Sequence, residues 1–479
     1  VSPTGKARRE EDPLGPVEVP AGALYGAQTG RAVENFPISG LRPHPLFVDA
    51  VVRIKRAAAL VHRGTGRLDR ERADAIVAAA DEVLAGKHRE HFVVDVFQAG
   101  AGTSHNMNVN EVLANLASQR LGGAVGSYKP VHPNDHVNMA QSTNDVIPTA
   151  IRLSALEALK PALAAVDALA ASLRERAGRF DDVVKAGRTH LQDAMPIRLG
   201  QEFDGWAGSI ERGARRVREA ADYLLDLGIG GTAVGTGVNA EPVYAERIVE
   251  ELRASTGLPL RAGADRVQLM QSMGDAAGLS AAWRTLALDI GKVASDLRLL
   301  ASGPRTGFDE LRLPAVQPGS SIMPGKVNPS IPEMVNQVVF QVIGNDATIA
   351  ASAEHGQLEL NVMMPVIAHN LLGAITFLGN AVKVLDERCV RGIEANRDMA
   401  SYWVERSAAL ATALAPRIGY AAAAALTKRS VAEGISIREL VIREGLLSEA
   451  AAADVLDLRR MTEPGVPGSD GENRAPLSR

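Results

Sequence analysis

The densest chemistry in the chain lies in one run, Gly319-Ser-Ser-Ile-Met-Pro-Gly-Lys-Val-Asn328. Ser320 and Ser321 offer hydroxyls, Lys326 an ammonium and Asn328 a carboxamide. Gly319, Pro324 and Gly325 break helix and strand alike, so the run is expected to be an exposed loop, where reactive groups commonly sit on a rigid scaffold. It is not a phosphate-binding P-loop. Five residues separate Gly319 from Gly325 and Val327 follows Lys326, whereas that motif has one residue fewer between its glycines and Ser or Thr after the Lys.

Three other stretches repeat this inventory of neutral donors. Gly102 and Thr103 precede a helical run, a position that leaves backbone N–H groups free for an anion or serves as a simple helix cap. Gln141-Ser142-Thr143-Asn144-Asp145 precedes Pro148 and a long helix, a second candidate anion cradle. Gly187-Arg-Thr189-His190-Leu-Gln192 interrupts the helices, with an imidazole that is either structural or catalytic. His132-Pro-Asn-Asp-His136 carries two imidazoles and a carboxylate, but its spacing matches no helical His pair or zinc pattern, so no metal is expected. Gly228–Asn239 is glycine-rich but follows a helix and has no βαβ surroundings, so it reads as a tight passage between helices and not as a nucleotide loop.

The elements that must position these groups are helical. Hydrophobic residues make up 46% of the 479, aromatics only 4%, and Ala and Leu dominate, which favours packed helices over sheet. Helices are expected near 46–62, 70–85 and 110–120, then as one long helix after Pro148, kinked at Pro161, with Leu159, Leu163, Val166, Ala170 and Leu173 on its seam. Others are expected near 201–227, 331–353 and 364–388. The longest expected segment, 266–302, carries a seam from Leu279 through Trp283, Leu286, Ile290, Val293 and Leu297 to Leu300. A seam of that length requires partner helices throughout, and assembly of several subunits would supply them. Residues 1–45 read as irregular and partly extended, 391–460 as a smaller helical appendage, and 462–479 as a disordered tail.

The run at 319–328 resembles the signature loop of the aspartase/fumarase superfamily, and the resemblance extends over roughly residues 10–465. It implies a mainly α, three-domain chain: 1–141, a central long-helix bundle at 142–394 with the signature loop at 313–330, a small helical domain at 395–461, and a flexible tail at 462–479. It implies a homotetramer whose active sites each gather residues from three chains. Ser320 would be the general base and His190 would act near the leaving group. Thr103, Ser142, Thr143, Asn144, Thr189, Ser321, Lys326 and Asn328 would hold a small dicarboxylate. The Gly-Thr-x-x-Asn-Met-Asn pattern of the family departs here at His105, where an imidazole would reshape the pocket or face a neighbouring subunit.

The residue types suit that chemistry without metal or cofactor. Removing a proton beside a carboxylate builds a doubly charged aci-carboxylate, and donors aimed at it are worth several kcal/mol each. Within the family, the run Leu313–Ser320 and Ser142-Thr143 favour loss of ammonia from L-aspartate to give fumarate. Gly30–Pro37 and His369-Asn370 favour loss of water from L-malate. His105 and Met364 leave another substituted succinate open. The net charge of −4, with both signs interspersed, gives no case for nucleic acid or an anionic membrane. A lone Cys389, the absence of an apolar run of membrane-spanning length and a charged start at 1–12 make a cytoplasmic protein the expectation.

Overall fold

The computed structural model describes residues 7–467, and most of the expected tail lies outside them. In chain order, strands β1 (Ala7–Asp12) and β2 (Gly15–Pro20) precede helices α1 (Ala27–Asn35), α2 (Pro45–Thr65), α3 (Arg70–Leu84), α4 (Thr103–Arg120) and α5 (Thr143–Arg179). A hairpin of β3 (Val184–Thr189) and β4 (Gln192–Arg198) leads to α6 (Leu199–Asp222), β5 (Asp226–Leu227), α7 (Tyr244–Thr256) and β6 (Arg261–Ala262). Then come α8 (Arg266–Gln271), α9 (Gly274–Leu300), β7 (Leu311–Arg312), α10 (Ser330–Glu354), α11 (Met364–Arg388) and β8 (Glu394–Ala395). Five short helices close the chain: α12 (Arg397–Arg406), α13 (Ala415–Ile418), α14 (Tyr420–Glu433), α15 (Ile437–Arg443) and α16 (Glu449–Val455). The fold is mainly helical, and the strands form four two-stranded pairs.

Local chemistry explains most boundaries. Asp69 caps α3 by accepting the Arg72 N–H, and His44 caps α2 with Pro45 in the first turn. The seam of α9 is buried from Leu279 to Leu300, as its spacing requires. The segment 266–302 is nevertheless not one helix. Ser272 leaves helical geometry, its Oγ accepts the Gly274 N–H (3.2 Å), and the chain restarts as α9. Apolar Leu269 and Met270 carry the pattern across that break and conceal it. The longest helix is α5, 37 residues, which begins at Thr143 and contains both Pro148 and Pro161.

The β3–β4 hairpin lay outside the helical pattern. Its two turn residues, His190 and Leu191, both have positive φ (57° and 58°), the backbone of a type I′ turn that Asn-Gly would ordinarily signal. A non-glycine residue there costs about 1–2 kcal/mol. Within the segment read as irregular and partly extended, residues 7–20 form the extended part, the β1–β2 hairpin.

The chain divides into two compact units. Among the described residues the first comprises 7–164, 213–288 and 338–380; the second 165–212, 289–337 and 381–467. In the first, glycines allow close helix contact: a Cβ on Gly379 of α11 would lie 2.8 Å from the Ala162 Cβ of α5. In the second, the short C-terminal helices bury a core of their own around Leu414, Leu440, Val441, Val455 and Leu456. Met364–Gly392 is long and apolar enough to cross a membrane, contrary to the expectation that no such run exists, but 56% of its apolar window is buried inside the protein.

Candidate active site

In the first unit, Thr103 opens α4 behind Gly102, a cap with no side chain, at φ 89°. Thr103 is exposed, whereas Ser142, Thr143 and Asn144 at the start of α5 are half-buried. Two buried groups set the shape of this second stretch. Asp145 accepts the N–H of Ser142 (2.9 Å), Gly230 (3.0 Å) and Thr232 (3.0 Å), tying the glycine-rich passage to the start of α5. Asn144 Nδ2 donates to the Ala233 carbonyl on the same passage (2.8 Å). Lys55 of α2, fully buried, donates from Nζ to Asn138 Oδ1 (2.8 Å) and Gln141 Oε1 (3.0 Å). Asn106 Nδ2 bridges Asn138 Oδ1 (3.4 Å) and Thr143 Oγ1 (3.2 Å), joining the first turn of α4 to the candidate cradle. Burial pushes the Lys55 ammonium down to about 7, against the favourable charge of Asp145. Burial likewise pushes the Asp145 carboxyl up to about 6, against its three N–H donors and Lys55.

His105 does not line the cavity that Thr103 lines, and it does not reach the surface of the chain. Its ring is fully buried and stacks on Phe47, with centroids 4.8 Å apart. Two residues along a helix is about 200° of rotation, so Thr103 and His105 point to opposite sides of α4. Both ring nitrogens lack a protein hydrogen-bond partner, and they share a cavity with His44 and His369. Burial, reinforced by the charge of Lys55, pushes this imidazole down to about 3.

In the second unit, Thr189 and His190 sit exposed at the tip of the β3–β4 hairpin. Arg188, one residue before Thr189, grips buried Glu310 with both terminal guanidinium nitrogens (3.1 and 2.9 Å). The signature loop is closed at its neck: Gly319 N–H donates to the Lys326 carbonyl (2.7 Å) and Asn328 Nδ2 to the Gly319 carbonyl (2.6 Å). Within it, Ser320 Oγ accepts the backbone N–H of Ile322 (3.2 Å) and Met323 (2.9 Å). Both donors come from residues two and three positions further on, so the turn itself fixes the Ser320 hydroxyl as an acceptor. Lys326 and Asn328 line a cavity of about 720 Å³ with Arg298, Arg312 and Glu333. Ser321 is exposed, as are Ile322 (82%) and Met323 (50%), so the loop's apolar face is uncovered in the isolated chain.

The structure thus brings Thr103 and Ser142–Asn144 into the first unit, and Thr189, His190, Ser320, Ser321, Lys326 and Asn328 into the second. Sequence reasoning missed Lys55, Asn106, Asn138, Asp145, Arg188 and Glu310. Lys55 lies among apolar and basic residues of an ordinary amphipathic helix, with nothing local to set it apart. Asp145 stood next to the Ser142–Asn144 run, and its position just inside a helix start was the one available signal. Among the described residues, His88, Glu90 and His91 form a group of metal-ligand type, but His91 Nδ1 accepts the Leu24 N–H and His88 bonds Glu82.

Helices in both units thus present loops carrying hydroxyls, amides and cations, and comparison with known proteins identifies the family. A family model described as lyase matches residues 15–344, and one described as fumarase C C-terminus matches 410–463. The chain belongs to the aspartase/fumarase superfamily. It is 46% identical over 464 residues to aspartate ammonia-lyase of Bacillus subtilis (strain 168), covering 97% of this chain and 98% of that protein. It is 51% identical over 467 residues to a class II fumarate hydratase of Halobacterium salinarum, covering the same shares. A solved structure from Brucella melitensis, described as fumarate lyase:delta crystallin bound to cobalt, is 47% identical, with a TM-score of 0.92 over 96% of this chain and 100% of that one.

Proposed function

We propose that the protein eliminates ammonia reversibly from L-aspartate to give fumarate, with Ser320 as the general base. The observation that carries the elimination chemistry is the pair of backbone N–H groups held on Ser320 Oγ inside a loop pinched at Gly319 and Lys326. Ser320 takes the proton beside one carboxylate. The aci-carboxylate that forms is stabilised by Thr103, Ser142, Thr143 and Ser321. Lys326 and Asn328 hold the other carboxylate, the ammonium as a point charge and the amide as a directional donor. His190 and Asn144 attend the leaving group, and Thr189 contacts the substrate. These groups meet in a homotetramer whose sites gather residues from three chains, in a chain divided at 1–141, 142–394 and 395–461, and the cytoplasm is the proposed location.

Support for ammonia as the leaving group comes from Ser142-Thr143, the Leu313–Ser320 run and the Bacillus relative. Hydration of fumarate to L-malate is the second reading, favoured by the 51% identity to the Halobacterium enzyme. Fumarate formation, followed by ultraviolet absorbance with L-aspartate or L-malate offered separately, decides between them. Turnover of aspartate is the expected result. Turnover of malate alone overturns it in favour of the hydratase, and turnover of neither points to another substituted succinate. Ser320→Ala should lower kcat by several orders of magnitude with folding and assembly intact.

A further inference from the structure

A quartet of charges, two buried and two half-buried, lies beneath the hairpin in the second unit. Lys185 and Arg188 face Glu202 and Glu310: Lys185 Nζ donates to Glu202 Oε1 (2.8 Å) and lies 3.2 Å from Glu310 Oε2. The Glu310 side chain is 0% exposed and that of Lys185 1%. Arg188 adds its two-pronged contact with Glu310 and stacks over the Phe308 ring, 4.1 Å from the centroid. Burial raises the Glu202 carboxyl, and Lys185 opposes the shift. A buried ion cluster is a poor source of stability, because desolvation cancels much of its attraction; its attested use is to fix one geometry among several.

The placement of this quartet says which geometry is fixed. A bulge between Ala186 and Arg188 interrupts the ladder just before Arg188, at Gly187, where a Cβ would lie 2.5 Å from the Met195 carbonyl oxygen. Thr189 and the left-handed His190 and Leu191 follow at once. An isolated two-stranded hairpin with such a turn is marginal without an anchor. On the other side, the Glu310 backbone bonds Leu300 (2.9 Å) and Asn396 (2.9 Å), and the next residues, Leu311–Arg312, pair with Glu394–Ala395. The signature loop leaves from there. One carboxylate therefore joins the root of the hairpin to the root of the loop.

We propose that Arg188 and Glu310, supported by Lys185, are positioning residues: their ion pair holds the Thr189–His190 tip and the root of the 313–330 loop as one rigid assembly. The inference rests on the assignment of His190 and Ser320 to the chemistry. The test therefore has one readout that needs no activity: hydrogen–deuterium exchange by mass spectrometry on wild type, Glu310→Gln, Arg188→Met and Arg188→Lys. The other readout is kcat and KM on whichever substrate the wild type turns over. Glu310→Gln and Arg188→Met should raise exchange about tenfold or more in both 186–194 and 311–329 and leave α14 unchanged. They should also lower kcat about tenfold or more with KM within about threefold. Arg188→Lys, which keeps the charge and loses the fork, should fall between. Glu310→Gln preserves shape and decides the matter if Arg188→Met does not fold. Faster exchange confined to the hairpin, or a rise in KM at constant kcat, overturns the proposal. A wild type inactive on both substrates refutes the functional reading alone, because the exchange result stands by itself.

Discussion

Replacing His105 by Phe should flatten the acid sensitivity of folding. In the folded chain this imidazole is stacked on Phe47, fully buried, and pushed down to about 3 by burial and by the charge of Lys55. Unfolded, it returns to the ordinary value of about 6.5. A base whose folded pKa is depressed contributes stability that is complete above the unfolded pKa and is lost as pH falls toward the folded one, because the unfolded state binds the extra proton. Integrated from pH 7 to pH 5, that linkage amounts to about 2 kcal/mol for this one group. Phe keeps the stack, and the adjoining cavity lined by His44 and His369 gives its larger ring room. Those two imidazoles and His62 are also lowered by burial, so the wild type should lose more than His105 alone accounts for. The comparison isolates His105. Urea unfolding of both proteins at pH 7 and pH 5, followed by circular dichroism, gives the stability difference at each pH. The difference should shift by about 2 kcal/mol in favour of His105→Phe at the lower pH. An unchanged difference would mean that His105 already binds a proton in the fold, and would refute the burial argument.

Two further substitutions separate loop geometry from packing. Gly319→Ala places a methyl 2.4 Å from the Lys326 carbonyl oxygen and 2.7 Å from the Asn328 nitrogen, both backbone atoms. The neck must open, so kcat/KM should fall about tenfold or more while urea stability changes by no more than about 1 kcal/mol, because Gly319 lies in a loop and not in the core; wild-type turnover would show that the neck is not needed. Gly379→Val forces a branched side chain against Ala162, 2.8 Å from the ideal Cβ. It should cost about 1–3 kcal/mol or more in a denaturation series, and a neutral result would mean that the two helices can separate at no cost.

The amino-acid order determined the helices, because seams of four and three residues and Ser, Asp and Pro caps are local properties. It also marked 319–328 as a break in helix and strand, because Gly319, Pro324 and Gly325 fall within ten residues. Tertiary structure decided what those patterns could not carry. The break at Ser272 is a backbone choice hidden under a continuous apolar pattern. The His190–Leu191 turn adopts a left-handed backbone that its residue types disfavour, so no turn signal announced it. His105 seemed close to Thr103 only along the chain; the 3.6-residue period of α4 puts it on the buried side. Lys55 and Asp145 acquire their character from desolvation, and Glu310 from partners 122 and 125 positions earlier, at Arg188 and Lys185. Burial and long-range pairing are properties of the folded chain, and no local run of residues encodes them.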